Sequence, residues 1–146
     1  MGLGKTVQGI GVSELLQQQA GIKKVLIIAP ASLKNQWDKE IDRFCDSSKA
    51  IIHGSAEERS GQYSEPQFYT ICNYEQVLKD FLSMRKVNWD LIILDEGQRI
   101  KNFESKTSKV IKSLKSTYAL VLSGTPLESR LEELFSVVNF VDNMAL

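Results

Sequence analysis

The sequence predicts an α/β domain with a mainly parallel central sheet and helices on both faces. Three continuous apolar runs, Lys24–Ala29, Asp90–Asp95 and Tyr118–Leu122, have the β-branched and leucine content of strands covered on both sides. Stretches with apolar residues at helical spacing lie between them, the alternation expected of a sheet sandwiched by helices. A glycine-rich turn, Met1–Gly4, opens directly into the first of these stretches.

In chain order, a helix is expected over residues 6–20, ending at Gly21 as its C-cap. The strand at 24–29 follows. Residues 33–44 carry Leu33, Trp37, Ile41 and Phe44 on one helical face, with Ser32 placed to cap. Ala50–His53 and Phe68–Cys72 are weaker strand candidates, and Gly54–Pro66, rich in serine and charge, is expected to be one long loop. Residues 74–84 repeat the helical pattern with Val77, Leu78, Phe81 and Leu82. Helices over 105–114 and 128–140 complete the set, the last docking Leu134, Phe135, Val138 and Phe140 on the sheet. Trp37 and Trp89 are expected to serve packing. No internal repeat or second domain boundary is apparent.

Composition narrows the function. The 146 residues suffice for one domain, and 42% apolar with 25% charged residues is ordinary for a globular chain. Lysine plus arginine and aspartate plus glutamate both total 18, so net charge is zero and bulk polybasic binding of nucleic acid is excluded. Anion binding must come from local arrangement. No apolar run reaches the ~20 residues needed to span a bilayer, no signal-peptide pattern opens the chain, and no membrane partner is expected. Two cysteines, Cys45 and Cys72, are too few for a disulfide framework or zinc site and point to a reducing, intracellular compartment. His53, the single histidine, has no second ligand nearby in sequence for a metal.

Three segments carry chemistry. Gly4-Lys5-Thr6 completes the end of the phosphate-loop pattern G-x-x-x-x-G-K-[ST], whose first glycine would lie upstream of Met1. Gly2 and Gly4 would bring backbone N–H groups to phosphate oxygens, Lys5 would supply a mobile charge, and Thr6 a hydroxyl for Mg²⁺. The following helix would aim its positive end at the anion. Alone, the segment also fits a glycine-rich turn that merely starts a helix. Gly9 and Gly11 inside that helix each cost up to ~1 kcal/mol relative to alanine, so close packing is expected there unless the helix is not built for stability.

The second segment, Leu91–Glu96, is an apolar strand ending in two carboxylates. A carboxylate at such an edge is costly unless paired, hydrogen-bonded or facing a cation. In parallel sheets this is the edge where ligands sit. A metal beside Thr6 would account for Asp95, and Glu96 would polarise water; alone, the pair also fits two solvated carboxylates. The third segment, Leu120–Leu127, is a strand followed by a turn with Ser123 and Thr125, able to hydrogen-bond the carboxylates or a phosphate, or to serve as plain turn punctuation. From Arg99 to Lys115 six basic residues face one acid; Lys101, Lys109 and Lys112 fit either a phosphate track or, more simply, a solvated helix face.

The order of motifs resembles the Swi/Snf family of DNA-translocating ATPases, within the helicase-like group that has two RecA-like lobes. The resemblance rests on Met1–Gln8, Ile27–Leu33 with Trp37, Asn73-Tyr74-Glu75, Asp95–Asn102 and Leu122–Leu127. It implies a RecA-like P-loop domain over residues 1–146, the N-terminal ATPase lobe, without its first strand and without a second lobe. It implies ATP and Mg²⁺ as ligands, with Gly2, Gly4, Lys5 and Thr6 holding the nucleotide, Thr6 and Asp95 the metal, and Glu96 activating water.

Pro30, Ser32, Leu33, Asn73 and Tyr74 match segments that touch DNA, and Ser123, Gly124 and Thr125 match the motif that couples hydrolysis to strand movement. Gln98 stands where the family usually has histidine; it hydrogen-bonds without carrying charge, so inter-lobe sensing there should be insensitive to pH. Glu128 and Ser129 replace the usual glutamine and asparagine. The implied partners are double-stranded DNA and a second lobe, and relatives of this kind act on nucleosomes, repair intermediates or stalled polymerases, at the nucleoid or in the nucleus. Two other readings remain open at this stage: a lobe of a different RNA- or DNA-unwinding ATPase, and a non-catalytic interaction module on a decayed ATPase fold. Intact Lys5, Thr6, Asp95 and Glu96 speak against decay.

Overall fold

The structure, a computed structural model, describes residues 2–97 and 106–122. Five strands form one sheet, β1 (Val25–Ala29), β2 (Lys49–Ile51), β3 (Tyr69–Asn73), β4 (Trp89–Leu94) and β5 (Ser116–Val121), in the order β2-β3-β1-β4-β5. Every pairing is parallel, with Ile27 opposite Ile71 on one side and Ile93 on the other. Because all strands run the same way, their C-terminal ends share one edge.

Five helices connect them: α1 (Gly2–Ala20), α2 (Lys34–Phe44), α3 (Ala56–Ser64), α4 (Tyr74–Met84) and α5 (Lys106–Lys112). The continuous apolar runs divide between two cores. Leu26, Ile28, Ile92 and Leu94 pack with Tyr63, Val77, Met84 and Ile111 under α3, α4 and α5. Val25, Ile27, Leu91 and Ile93 pack with Ile10, Trp37 and Ile41 under α1 and α2. Alternation along each strand thus feeds both faces, which is why runs such as Val25–Ala29 contain no polar residue. Among the described residues, no helix is long and apolar enough to cross a membrane.

Several expectations are corrected. The stretch 54–66 is not one loop but contains α3. Ser55 accepts from the Glu58 N–H while the Glu58 carboxylate accepts from the Ser55 N–H, a capping box that starts the helix. Tyr63 then anchors it, fully buried, with its hydroxyl donating to Asp80 at 3.0 Å.

Ser32 does not cap α2: Pro30 fixes a local turn, Leu33 N–H closes on Pro30 O at 2.9 Å, and Leu33 occupies the N-cap without a side-chain bond. On the helices, Phe44 and Leu82 are 51% and 61% exposed, whereas Asp80 is buried. Arg59 explains Asp80 by donating to both carboxylate oxygens at 2.8 and 2.9 Å. Strand β5 is only partly covered, with Tyr118 half exposed, because among the described residues it pairs with β4 alone. The helix expected at 128–140 lies outside the described residues.

Helix α1 begins at Gly2, earlier than expected, and ends at Gly21, whose φ of 67° is the left-handed cap conformation that glycine accommodates without strain. Its two internal glycines differ. A Cβ on Gly9 would stand 2.8 Å from the Cη2 edge of the Trp37 indole, whereas one on Gly11 would meet nothing within 4 Å. The indole has no room to yield, being fully buried. Gly9→Ala should therefore cost about 1–3 kcal/mol through overpacking. Gly11→Ala should gain up to ~1 kcal/mol of helix propensity. Denaturant midpoints of the two variants, moving in opposite directions from the parent, check this.

Candidate active site

The C-terminal edge of the sheet gathers the N-terminal turns of α1, α2 and α4 around the end of β4. Asp95 is 3% exposed and follows the last apolar residue of β4, its backbone N–H donating to Ile28 O at 2.8 Å. Burying this carboxylate requires compensation. Two groups provide it: Trp37 Nε1 donates to Oδ2 at 2.8 Å and the Lys5 ammonium lies 3.7 Å from Oδ1. The Tyr74 hydroxyl holds the backbone of the same residue, donating to the Asp95 carbonyl at 2.6 Å.

Lys5 also donates to Glu96 Oε1 at 2.6 Å. A cation from the chain's fifth residue thus meets two carboxylates more than ninety positions later. Thr6 is 3% exposed on the adjacent turn of α1. Gly4 is exposed in helical backbone with open space around it, so among these neighbours nothing but a closely approaching ligand calls for the missing Cβ. Glu96 has φ of 56°, the left-handed region that a non-glycine residue enters at a cost of order 1–3 kcal/mol. Such strain concentrates where a side chain must be aimed, and here it turns the Glu96 carboxylate toward Lys5.

The donor set suits a hard divalent cation. Asp95 and Thr6 offer oxygen only, and among the described residues no group of three or more His, Cys, Asp or Glu could hold a metal. One carboxylate and one hydroxyl are a donor set that Mg²⁺ can use, since it binds through one or two carboxylates and completes its shell with water and substrate phosphate.

The predicted DNA-facing residues lie on the same edge. Pro30 is buried, Ser32 exposed, Leu33 half-buried, and Asn73 and Tyr74 half-buried. Two of them also carry structural duties that the sequence reading did not assign. The Asn73 side chain accepts from the Gln76 N–H at 2.8 Å as the N-cap of α4, and Gln76 Oε1 accepts in return from the Asn73 N–H. Lys34 joins this cap, donating to Gln76 Oε1 at 3.0 Å and Ile52 O at 2.8 Å; burial lowers its pKa below the usual lysine value. The spacing Asn73-x-x-Gln76 is a capping-box signature that could have been read from sequence. Trp37, expected to serve packing, also holds the carboxylate; an indole N–H in a core needs a partner, which was the available signal. Gln98, Lys101, Ser123, Gly124 and Thr125 lie outside the described residues, whereas Lys109 is exposed and Lys112 half-buried on α5.

Gly97 closes the site from below. Its N–H donates to Leu122 O at 2.8 Å, and a Cβ there would overlap the Val121 Cγ1 methyl of β5. The strand is drawn in so closely that only hydrogen fits. Gly97→Ala should destabilise the protein by about 1–3 kcal/mol, and Val121→Ala in the same chain should restore part of the loss. A double-mutant cycle on unfolding free energies checks it, and additive effects would contradict the contact.

Comparison with known proteins places this geometry in context. The family model described as SNF2-related domain matches residues 1–146. The ISWI chromatin-remodeling complex ATPase ISW1 of Saccharomyces cerevisiae is 37% identical over 151 residues, covering 97% of this chain and 13% of that protein. The human DNA repair and recombination protein RAD54B is 35% identical, covering 97% of this chain and 17% of its own length. Among solved structures, the Sulfolobus solfataricus SWI2/SNF2 ATPase core in complex with dsDNA superposes with a TM-score of 0.81 at 34% identity, over 98% of this chain and 30% of that one. The chain therefore spans less than a third of each of these proteins.

Proposed function

The chain belongs to the SNF2-related family and has the α/β, RecA-like fold of the SWI2/SNF2 ATPase core, and from that premise we propose that it is the nucleotide-binding lobe of an ATP-driven double-stranded DNA translocase. The observation that carries the reading is the meeting of Lys5 with Asp95 and Glu96, at 3.7 and 2.6 Å, on the ligand-binding edge of a parallel sheet.

In this reading the triphosphate lies across the start of α1, where backbone N–H groups and the helix dipole favour anions. Lys5 exchanges its carboxylate contacts for the β- and γ-phosphates. Thr6 and Asp95 would hold Mg²⁺, which would supply charge neutralisation at the phosphates. Glu96, released from Lys5, accepts a proton from water as its oxygen bonds the γ-phosphorus and the bond to the ADP oxygen breaks. Exposed Ser32, with half-buried Leu33, Asn73 and Tyr74, contacts the DNA backbone, and buried Pro30 shapes the turn that presents Ser32. A second lobe closing on this edge completes the site, with Gln98 given the inter-lobe sensing role and Ser123, Gly124 and Thr125 the coupling role, and alternate closure moves the grip along the duplex. Supporting the setting are the relatives themselves, which by description remodel chromatin or repair and recombine DNA. That favours a place at the genome, nuclear in a eukaryote, with nucleosomes or repair assemblies as targets.

Two tests follow. In the intact protein, Glu96→Gln should lower the ATPase kcat by roughly 10²–10⁴-fold, the usual worth of a general base. Its ATP affinity should be unchanged or tighter, because Lys5 no longer has its closer ion pair to give up; Lys5→Ala should weaken ATP binding instead. Equilibrium binding of a fluorescent ATP analogue with steady-state hydrolysis separates these effects. The 146 residues alone should bind nucleotide weakly with negligible turnover. Robust DNA-stimulated hydrolysis by this segment would refute the half-site reading.

A further inference from the structure

We propose that Trp37 and Tyr74 are positioning residues for Asp95, linking the two segments that face DNA to the metal-facing carboxylate. The inference deepens the function proposed above and rests on its assignment of Asp95.

Asp95 is held from outside its own strand at two points. The Trp37 indole N–H donates to Oδ2 at 2.8 Å in a buried bond, and the Tyr74 hydroxyl donates to the backbone carbonyl at 2.6 Å. The two donors come from different segments. Trp37 lies in the first turn of α2, directly after the 31–33 turn that presents exposed Ser32; Tyr74 is the first residue of α4, directly after the Asn73 cap. In the sheet order β3 and β4 are separated by β1, so Tyr74 reaches over the end of a strand to grip Asp95.

The chemistry of the carboxylate gives these contacts a consequence. A free carboxylate turns readily about its last torsion and presents either oxygen. The indole bond removes that equivalence: with Oδ2 engaged, Oδ1 is the oxygen that faces Lys5 at 3.7 Å. The indole is itself fixed, fully buried and pressed against Gly9 of α1. Any shift of the 31–33 turn on gripping a DNA phosphate is carried by α2 as a rigid body to the indole, and so to the oxygen facing the cation. Tyr74 gives the Asn73 segment a parallel hold on the backbone of the same residue. Two DNA-facing elements thereby converge on one residue, the first on its carboxylate and the second on its backbone, with no intervening loop.

The test uses the intact protein and the variants Trp37→Phe and Tyr74→Phe, each of which removes one donor and keeps an aromatic ring. Mn²⁺ binding to the nucleotide-loaded protein, read by electron paramagnetic resonance, should weaken about tenfold in Trp37→Phe, the usual effect of losing an outer hydrogen bond to a metal ligand. Its affinity for duplex DNA should not change, while the stimulation of ATP hydrolysis by duplex should fall several-fold. Tyr74→Phe should lose stimulation as well. A lowered melting temperature with Mn²⁺ affinity and DNA stimulation both unchanged would overturn the proposal, leaving the aromatic residues as packing alone. If Trp37→Phe fails to fold, the wild-type indole N–H proton decides: protection from exchange and a resonance shift on adding Mg²⁺ and nucleotide support the link, and an unprotected or unshifted proton refutes it. Failure of the wild-type protein to bind nucleotide, or to respond to duplex, would instead sink the function proposed above before any variant is read.

Discussion

A carboxylate buried at the end of an apolar strand is the constraint around which this lobe is organised. Asp95 could not stand at the edge of the core without compensation, since leaving it alone there would cost several kcal/mol. A cation from α1 and an indole from α2 supply that compensation at the carboxylate, while a phenol from α4 and the Ile28 carbonyl of neighbouring β1 hold the backbone of the same residue. Each donor belongs to a different element, so the elements are oriented relative to one another by what they share. The site is the junction of the fold as well as its chemical centre.

The same economy shows in how tightly the surroundings are drawn in. Gly9 lets the Trp37 ring lie against α1, and Gly97 lets β5 lie against the turn after Glu96. Bulk at either place would push apart the walls that aim Asp95 and Glu96. Left-handed backbone at Glu96 belongs with these features, because the local cost is sustained only where surrounding contacts hold the residue in place. Precision at this edge is obtained by withholding atoms rather than by adding interactions.

Much of this was legible in the sequence, and the limits have physical causes. Strands β1 and β4 were plain because burial on both faces leaves uninterrupted apolar runs, whereas β2, only partly covered, gave a weaker signal. The meeting of Lys5 with Asp95 and Glu96 was foreseeable because a carboxylate at the edge of an apolar core calls for a cation. Helix α3 was missed because only Tyr63 among its residues is buried; its signal lay in the Ser55–Glu58 cap, not in periodicity. Leu82, read as part of the apolar pattern, is exposed, and Asp80 on the same helix is buried because the Arg59 guanidinium, from a helix not foreseen, pairs with it. The second duty of Trp37 was hidden for another reason: its side chain is amphipathic, and only tertiary proximity reveals which end matters.

The strand order has a consequence for how the chain reaches this state. Central β1 is complete by Ala29, yet its partners are β3, beginning at Tyr69, and β4, beginning at Trp89. During synthesis the most hydrophobic stretch of the lobe must wait some forty to sixty residues for either neighbour, a delay of several seconds at ordinary ribosomal speed. Val25–Ala29 is short, uncharged and β-prone, the kind of segment that seeks the edge of another chain when its own is not yet available. Placing β1 at the heart of the sheet joins both halves of the finished sheet and leaves this strand waiting for both of its partners in the nascent chain.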